Sequence, residues 1–575
     1  MATETGSAGA TVTRPADVGL KREMGFIGAV WASESSIIGS GWLFGALYAA
    51  QAAGPAAIIA WVIGGVAVVV LALIHAELGA MYPVSGGTAR FPHFAFGSLA
   101  GMSFGFFSWL QAVTVAPIEC FAVMNYGSHW WSAIYNPTTK NVTSTGFIMC
   151  VILMIIFTGL NFVGIKWLSN INSGLMWWKI AIPVLTIVVL LFKFHSGNFG
   201  SASNSGGFMP TGIKGVLSAV VGAGVVFSYL GFEQADQLAG EIKNAQRNLP
   251  RAIITAVAIG TAIYILLQIV FIAAMDPSVL TLSHGWTGLT CPATGTCNGT
   301  IATINSGPFA GLAGVVGLSW LAFILRLDAI ISPFGTGLIY QTSGSRVSYG
   351  LGRNRYFPPI LTRTDSRGVP WVSLILSFIG GLVFLLPFPS WHALVGLVTG
   401  ASVLMYAGAP LSLAAFRKQV PEAVRPYRLA GAAVWAPLGF IIANFIIYWS
   451  GFIVIWKLGI CIVVGYVIIG ICMMFDSQRP KLFDAKSLRS ASWLPVYLIG
   501  MGIISWLGQY SGQSSSTPLA PTNTNTIGLW YDLLIIAAFS LAIYFWAVAV
   551  RLPREEMLGL VGAQASEEDV PPPTL

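Results

Sequence analysis

Charge is what this 575-residue chain has least of: Asp, Glu, Lys and Arg together make up 9% of it, against roughly a quarter in soluble globular proteins. With apolar residues at 55%, it cannot dress a globular surface for water, and an ordinary soluble enzyme is excluded. The six histidines show no metal-ligand spacing, so neither a metal nor a cofactor is expected. No nucleophile stands beside a base, as an intramembrane hydrolase would require. Short alternating segments of the β-barrel kind are missing. So is a soluble basic domain, so the net charge of +8 does not read as a nucleic-acid surface. The first 24 residues lack an apolar core followed by a small-residue cleavage site, and no cleavable signal peptide is expected.

What the chain does have is apolar runs of about 17 to 25 residues, the length that crosses a bilayer core. Fourteen recur between Gly25 and Val550, the first at 25–50 and the last at 527–550, separated by short polar segments. The chain is therefore expected to be an all-α polytopic membrane protein. With the N-terminus placed in the cytoplasm, 23 of the 29 Lys and Arg residues fall on the inner side, so the positive-inside rule puts both termini in the cytoplasm of a cell membrane. Cys120, Cys150, Cys461 and Cys472 lie in apolar spans and read as small core residues. Cys291 and Cys297, in the outer-loop segment CPATGTC, face an oxidising compartment. A short disulfide is expected there, with two free thiols as the alternative.

The first and sixth spans enter from opposite sides and are both interrupted near the middle, at Ile37-Ile38-Gly39-Ser40-Gly41 and at Phe227-Ser228-Tyr229-Leu230-Gly231. Paired glycine interruptions in two inverted halves point to a site near the bilayer midplane. The implied organisation is a cytoplasmic segment at 1–24, one five-helix unit at 25–213 and its inverted counterpart at 214–416. Four further helices at 417–550 form a scaffold or partner surface, and 551–575 is a disordered cytoplasmic tail. A Gly-Ser-Gly break frees backbone N–H groups that lipid cannot satisfy. A helix N-terminus at that point suits a carboxylate, while close packing through small residues is the alternative.

Four segments, IIGSGWLFG at 37–45, AELGAMYPVSGG at 76–87, GFEQADQLAGEIKNAQRNLPRAI at 231–253 and SPFGTGLIY at 332–340, resemble the amino acid, polyamine and organocation (APC) superfamily of permeases. The resemblance covers the first ten spans and implies a LeuT-type 5+5 inverted repeat with four extra C-terminal helices. It further implies a substrate carboxylate held at Gly39, Ser40 and Gly41, with the amine on carbonyls of Ile37, Phe227, Ser228 and Leu230. Phe227 and Phe232 would close over the substrate as apolar gates, with simple packing as the other reading.

Ionisable groups inside a membrane are by default functional. Lys179 stands where proton-coupled members of the superfamily resemble one another in carrying a lysine. Burial disfavours its charged form, so it can exchange a proton as its surroundings alternate, unless it snorkels to the inner interface. Glu233 and Glu34 are further candidate proton carriers, and Arg326, Asp328 and Glu119 candidate charges of the central cavity. Arg326 is expected to pair with Glu34 or Glu233, or else to bind an acidic substrate side chain. The leading reading is a proton-coupled amino-acid symporter working by alternating access, with a small amino acid, protons and the lipid bilayer as its partners. An amino acid/amine exchanger and a non-transporting, substrate-sensing receptor are the alternatives.

Overall fold

Backbone N–H and C=O groups have no water to bond in hydrocarbon, so apolar runs of this length fold as helices, which satisfy those groups internally. The computed structural model describes residues 20–137, 139–200, 206–291, 297–386, 390–475, 485–510 and 524–568. It is almost entirely helical, in keeping with a polytopic membrane protein. The elements are α1 (Phe26–Ile37), α2 (Ser40–Ala53), α3 (Ala57–Met81), α4 (Gly87–Phe96), α5 (Ser98–Gly127), α6 (Ser144–Asn161), α7 (Ile165–Leu191), α8 (Gly212–Gly222) and α9 (Val225–Tyr229). There follow α10 (Ala245–Ala274), α11 (Ser319–Arg353), α12 (Trp371–Leu385), α13 (Trp391–Gln419), α14 (Ala432–Trp449), α15 (Phe452–Met474), α16 (Trp493–Leu507), α17 (Leu529–Ala549) and α18 (Arg554–Glu568). Helices long and apolar enough to span recur through the described residues, and α8 and α12 are shorter apolar pieces.

Side-chain exposure sorts these helices into layers. The most apolar stretches of α5 and α13 are 94% buried, and α5 packs along α11, α13 and α4. These form the centre of the molecule. On α15, Val463, Val464, Val467, Ile468 and Ile471 point outward at helical spacing, as does the Ile148, Ile152, Ile155 and Ile156 set on α6. Such apolar outward faces suit lipid and would be unsupportable in water.

Two expectations about extent change. The eighth apolar run predicts a helix over 309–341 with Arg346 in the loop beyond it, but α11 begins at Ser319, after a turn at Gly317 with φ +81°, and runs on to Arg353. Arg346 is no loop cation. It is instead 1% exposed and holds a bidentate ion pair with Glu241, at 2.7 and 3.0 Å. The tail at 551–575 was read as disordered, yet Arg554–Glu568 is helical. Met557 and Val561, one turn apart, bury themselves against the core, and the Tyr82 hydroxyl reaches Met557 Sδ at 3.9 Å. Residues 1–19 and 569–575 lie outside the described residues, so most of the N-terminal segment and the end of the tail do too.

Candidate functional site

The first interruption falls between α1 and α2. Ile38 (φ −82°, ψ 77°) and Gly39 (φ −117°, ψ −141°) leave the helical region, and α2 restarts at Ser40 without a side-chain cap of its own. Its exposed donors are taken by a side chain 79 residues away: Ser40 N–H donates to Glu119 Oε2 and Ser40 Oγ to Glu119 Oε1, both at 2.9 Å. Trp391 Nε1 donates to the same Ser40 Oγ at 2.7 Å. Across the break, the carbonyl of Ser35 in the last turn of α1 accepts from Lys179 Nζ and from Thr336 Oγ1, each at 2.6 Å. Lys179 Nζ also reaches Ser35 Oγ at 3.1 Å and Thr336 Oγ1 at 3.0 Å. An anion thus sits at the N-terminus of one half-helix and a cation at the C-terminus of the other, each where the helix dipole favours it. Lys179 is fully buried, and it does not snorkel. The carbonyl of Ile37 accepts the Tyr264 hydroxyl and the Gly39 N–H.

The second interruption begins with Gly224 (φ +82°) between α8 and α9, and continues after α9 with an extended Leu230 and Gly231 at φ +131°. Glu233 closes it. Its carboxylate accepts from Gly231 N–H (2.9 Å), Gln111 Nε2 (2.9 Å), Tyr340 Oη (3.1 Å) and Tyr406 Oη (2.5 Å). The two interruptions are pressed together. A Cβ on Gly231 would lie 2.6 Å from Ser36 Cβ and 2.7 Å from the Ile37 nitrogen, and one on Gly41 would lie 2.7 Å from Ser228 Cα. Gly41 therefore makes room for the Ser228 backbone, the close packing through small residues that is the alternative reading of this break. Ser228 Oγ donates to Gly224 O at 2.8 Å, and the carbonyl of Phe227 accepts the Leu230 N–H at 3.1 Å.

Between the interruptions lies a cleft lined by Ile37, Gly39, Gly41, Glu119, Phe227 and Leu230, closed over by Thr336 and Tyr340. Its free volume is about 10 Å³, no more than one water requires, so an amino acid fits only after the helices part. Above it, Trp391 packs edge-on against Phe227 with 5.5 Å between ring centroids and lies against Phe44 at 4.9 Å. At the basic end of the bundle, Met24 bridges residues 241–243: Met24 N–H donates to Glu241 O (2.9 Å) and Lys243 N–H to Met24 O (2.8 Å). The Arg346–Glu241 ion pair stands at the same point. Glu77 is buried and pairs with Arg417 at 2.6 Å and Arg425 at 3.1 Å.

Other predicted residues fall elsewhere. Glu34 is buried within electrostatic reach of Lys179, its carboxylate oxygens without a hydrogen bond among the described residues. Asp328 accepts from Ser332 Oγ at 2.8 Å, one turn on. Phe232 does not line the cleft: it stacks on Tyr406 with centroids 4.8 Å apart and meets His75 edge-on, so it is a packing residue beneath the second interruption. Arg326 does not join Glu34 or Glu233. It lies two turns into α11 and lines a separate pocket of about 320 Å³ with Asn125, Tyr126, Ser128, His129 and Thr303, at the end of the bundle that carries Cys291 and Cys297. Partial burial, and then the nearby Arg326 guanidinium, hold the His129 imidazole below its ordinary range. Cys291 and Cys297 are joined as a disulfide.

The sequence reading missed Trp391, Thr336, Tyr340, Tyr406 and Gln111. Each is an uncharged polar group within an apolar span, and nothing in a linear pattern separates those from ordinary packing. Thr336 had the best signal, standing inside SPFGTGLIY.

Residues 24–469 match the model of a protein family described as amino acid permease. A glutamate/serine transporter of Bacillus subtilis (strain 168) is 35% identical over 538 residues, covering 92% of this chain and 94% of that protein. The aspartate-proton symporter of the same organism is 34% identical over 536 residues, 93% of this chain and 97% of its own. The aromatic amino acid transport protein AroP of Escherichia coli (strain K12) is 26% identical over 403 residues, 67% of this chain and 79% of that one.

Proposed function

The chain belongs to the amino acid permease family, and from that premise we propose that this multi-pass amino acid transporter is a proton-coupled symporter working by alternating access. The observation that carries the reading is the carboxylate of Glu119 on Ser40. The N-terminus of α2 already holds a carboxylate through one N–H and one hydroxyl, both at 2.9 Å, which is the arrangement an amino acid's carboxylate needs. Ser40 binds that group, and carbonyls at the two interruptions, those of Ile37, Phe227, Ser228 and Leu230, receive the amine once the helices part and the bonds that Ile37 and Phe227 accept here are released. Residues 25–213 and 214–416 form the two inverted units, supported by interruptions that touch through Gly41 and Gly231. Residues 417–550 brace them. Both termini face the cytoplasm of the cell membrane, as the basic loops favour.

The proton is carried among Lys179 and its acidic neighbours. In support, Lys179 is buried in the bundle with its ammonium spread over Ser35 and Thr336, and a relative is named an aspartate-proton symporter. The preferred cargo is an acidic or small polar amino acid. Relatives named for glutamate, serine and aspartate favour this, as does Arg326 in the outer pocket, with no carboxylate paired to it among the described residues. The test is labelled uptake into proteoliposomes with pH and sodium gradients imposed separately, competed with aspartate, serine, leucine and arginine. Accumulation should follow the inward proton gradient, ignore replacement of sodium by potassium or choline, fall to equilibration in Lys179→Ala, and be inhibited most by aspartate or serine. Accumulation that follows sodium overturns the coupling. Obligatory exchange without net uptake identifies an exchanger, and saturable binding without flux a receptor.

A further inference from the structure

The carboxylate on Ser40 is attached to the protein, and this sets a condition on binding. Glu119 comes from α5, its two oxygens take the N–H and the hydroxyl of one residue, and Trp391 Nε1 fixes that hydroxyl from the opposite side. A Cβ at Gly39 would stand 3.1 Å from Glu119 Oε1 and 2.6 Å from Thr336 Oγ1, so the missing side chain leaves the space the carboxylate and Thr336 occupy. Thr336 in turn accepts from Lys179. The carboxylate, the helix N-terminus and the ammonium thus gather around Gly39, with Lys179 in electrostatic reach of Glu119.

We propose that Glu119 is a tethered occupant of the substrate's carboxylate site, and that an amino acid displaces it only as Glu119 takes up a proton. The inference rests on the reading that Ser40 binds the substrate carboxylate. Two carboxylates cannot both stay charged within hydrogen-bond reach of one N–H group, since like charges disfavour each other's ionisation. On binding, a proton from the water on the entry side bonds to a Glu119 oxygen, the two hydrogen bonds from Ser40 to Glu119 break, and the same donors bond to the substrate. On release the proton returns to water on the exit side and Glu119 again caps α2. One proton moves with each substrate, and nothing is oxidised or reduced. The titratable groups in electrostatic reach are Lys179 on α7, Glu34 on α1, Tyr264 on α10, Tyr340 and Asp328 on α11, Cys150 on α6 and Cys120 on α5 itself. Lys179 is the cation among them, and it balances whichever carboxylate sits on Ser40.

The experiment is calorimetric titration of the purified full-length transporter with L-serine and with L-aspartate, in two buffers of different ionisation enthalpy, which counts protons taken up per ligand bound. Above the pH at which Glu119 of the ligand-free protein loses its proton, wild type should take up one proton on binding, and its affinity should strengthen about tenfold per unit of falling pH. Glu119→Gln keeps the size and an acceptor for the Ser40 N–H. It should bind with no proton uptake and a flat pH profile, and should retain exchange in counterflow while losing accumulation on a pH gradient. Glu119→Asp keeps the carboxylate and should restore proton uptake, which guards against a folding defect in the first variant. Equal proton uptake by wild type and Glu119→Gln, or none by wild type, overturns the role of Glu119. Serinamide separates the two readings: it should not bind. Serinamide binding as tightly as serine, or no binding of serine or aspartate at all, defeats the carboxylate assignment itself.

Discussion

The two interruptions at the centre of the bundle look alike in sequence and are built on opposite plans. At the first, a single carboxylate rests on a single residue: Glu119 on Ser40, with the Lys179 ammonium in electrostatic reach. At the second, Glu233 is gripped by donors from five residues, Gly231, Gln111, Gln234, Tyr340 and Tyr406. A carboxylate with two bonds to one residue can be exchanged for another. One that ties together a loop and three helices is a fastening. The membrane-buried charge that is costly in both places serves recognition in the first and shape in the second.

The contrast can be broken by mutation, in order of expected effect on uptake. Glu233→Ala strands five buried donors and should abolish uptake by loss of folded protein, a destabilisation on the order of 3–5 kcal/mol. The corresponding Glu119→Ala should melt much closer to wild type in a thermal-unfolding assay, and equal melting temperatures for the two would end the distinction. Gly41→Val should likewise abolish uptake, through its clash with Ser228. Overpacking costs about 1–3 kcal/mol, so the protein should insert but melt early, whereas a wild-type melting curve with lost uptake would return Gly41 to the ligand. Ser40→Ala removes the hydroxyl shared by Glu119 and Trp391 and keeps the N–H. Uptake should persist with a KM raised about tenfold, the equivalent of roughly 1.4 kcal/mol, and unchanged kinetics would remove Ser40 from the site. Replacing both Cys291 and Cys297 by serine should leave uptake unaltered, because closing so short a loop contributes about 2–3 kcal/mol at most, and a loss of transport would tie that loop to the cycle.

The helical architecture and the position of both interruptions were legible in the sequence because hydrocarbon allows few backbone solutions and glycine marks where they fail. The Ser40 end of α2 was readable for the same reason. Partnership was not. The sequence placed Glu119 in the cavity without linking it to Ser40, since nothing local joins residues 79 positions apart. It sent Arg326 inward because a cation midway along an apolar run suggests a buried partner, whereas α11 starts so late that Arg326 stands near its outer end. For Phe232 the sequence offers both a gate and simple packing and cannot choose between them, because only the fold shows the ring stacked on Tyr406.

The strap of Met24 across residues 241–243 is made from main-chain atoms. Side-chain replacement at Met24 leaves both of its hydrogen bonds in place, and tests apart from them the packing of a side chain that is itself buried in the core. Proline at Lys243 or at Met24 removes a donor outright, and cutting the chain before it frees the end that must stay pinned. Glu241 carries the Met24 bond on its carbonyl and the Arg346 pair on its carboxylate, so strap and ion pair meet at one residue, and the segment leading into α1 is held to the bundle by its own main chain.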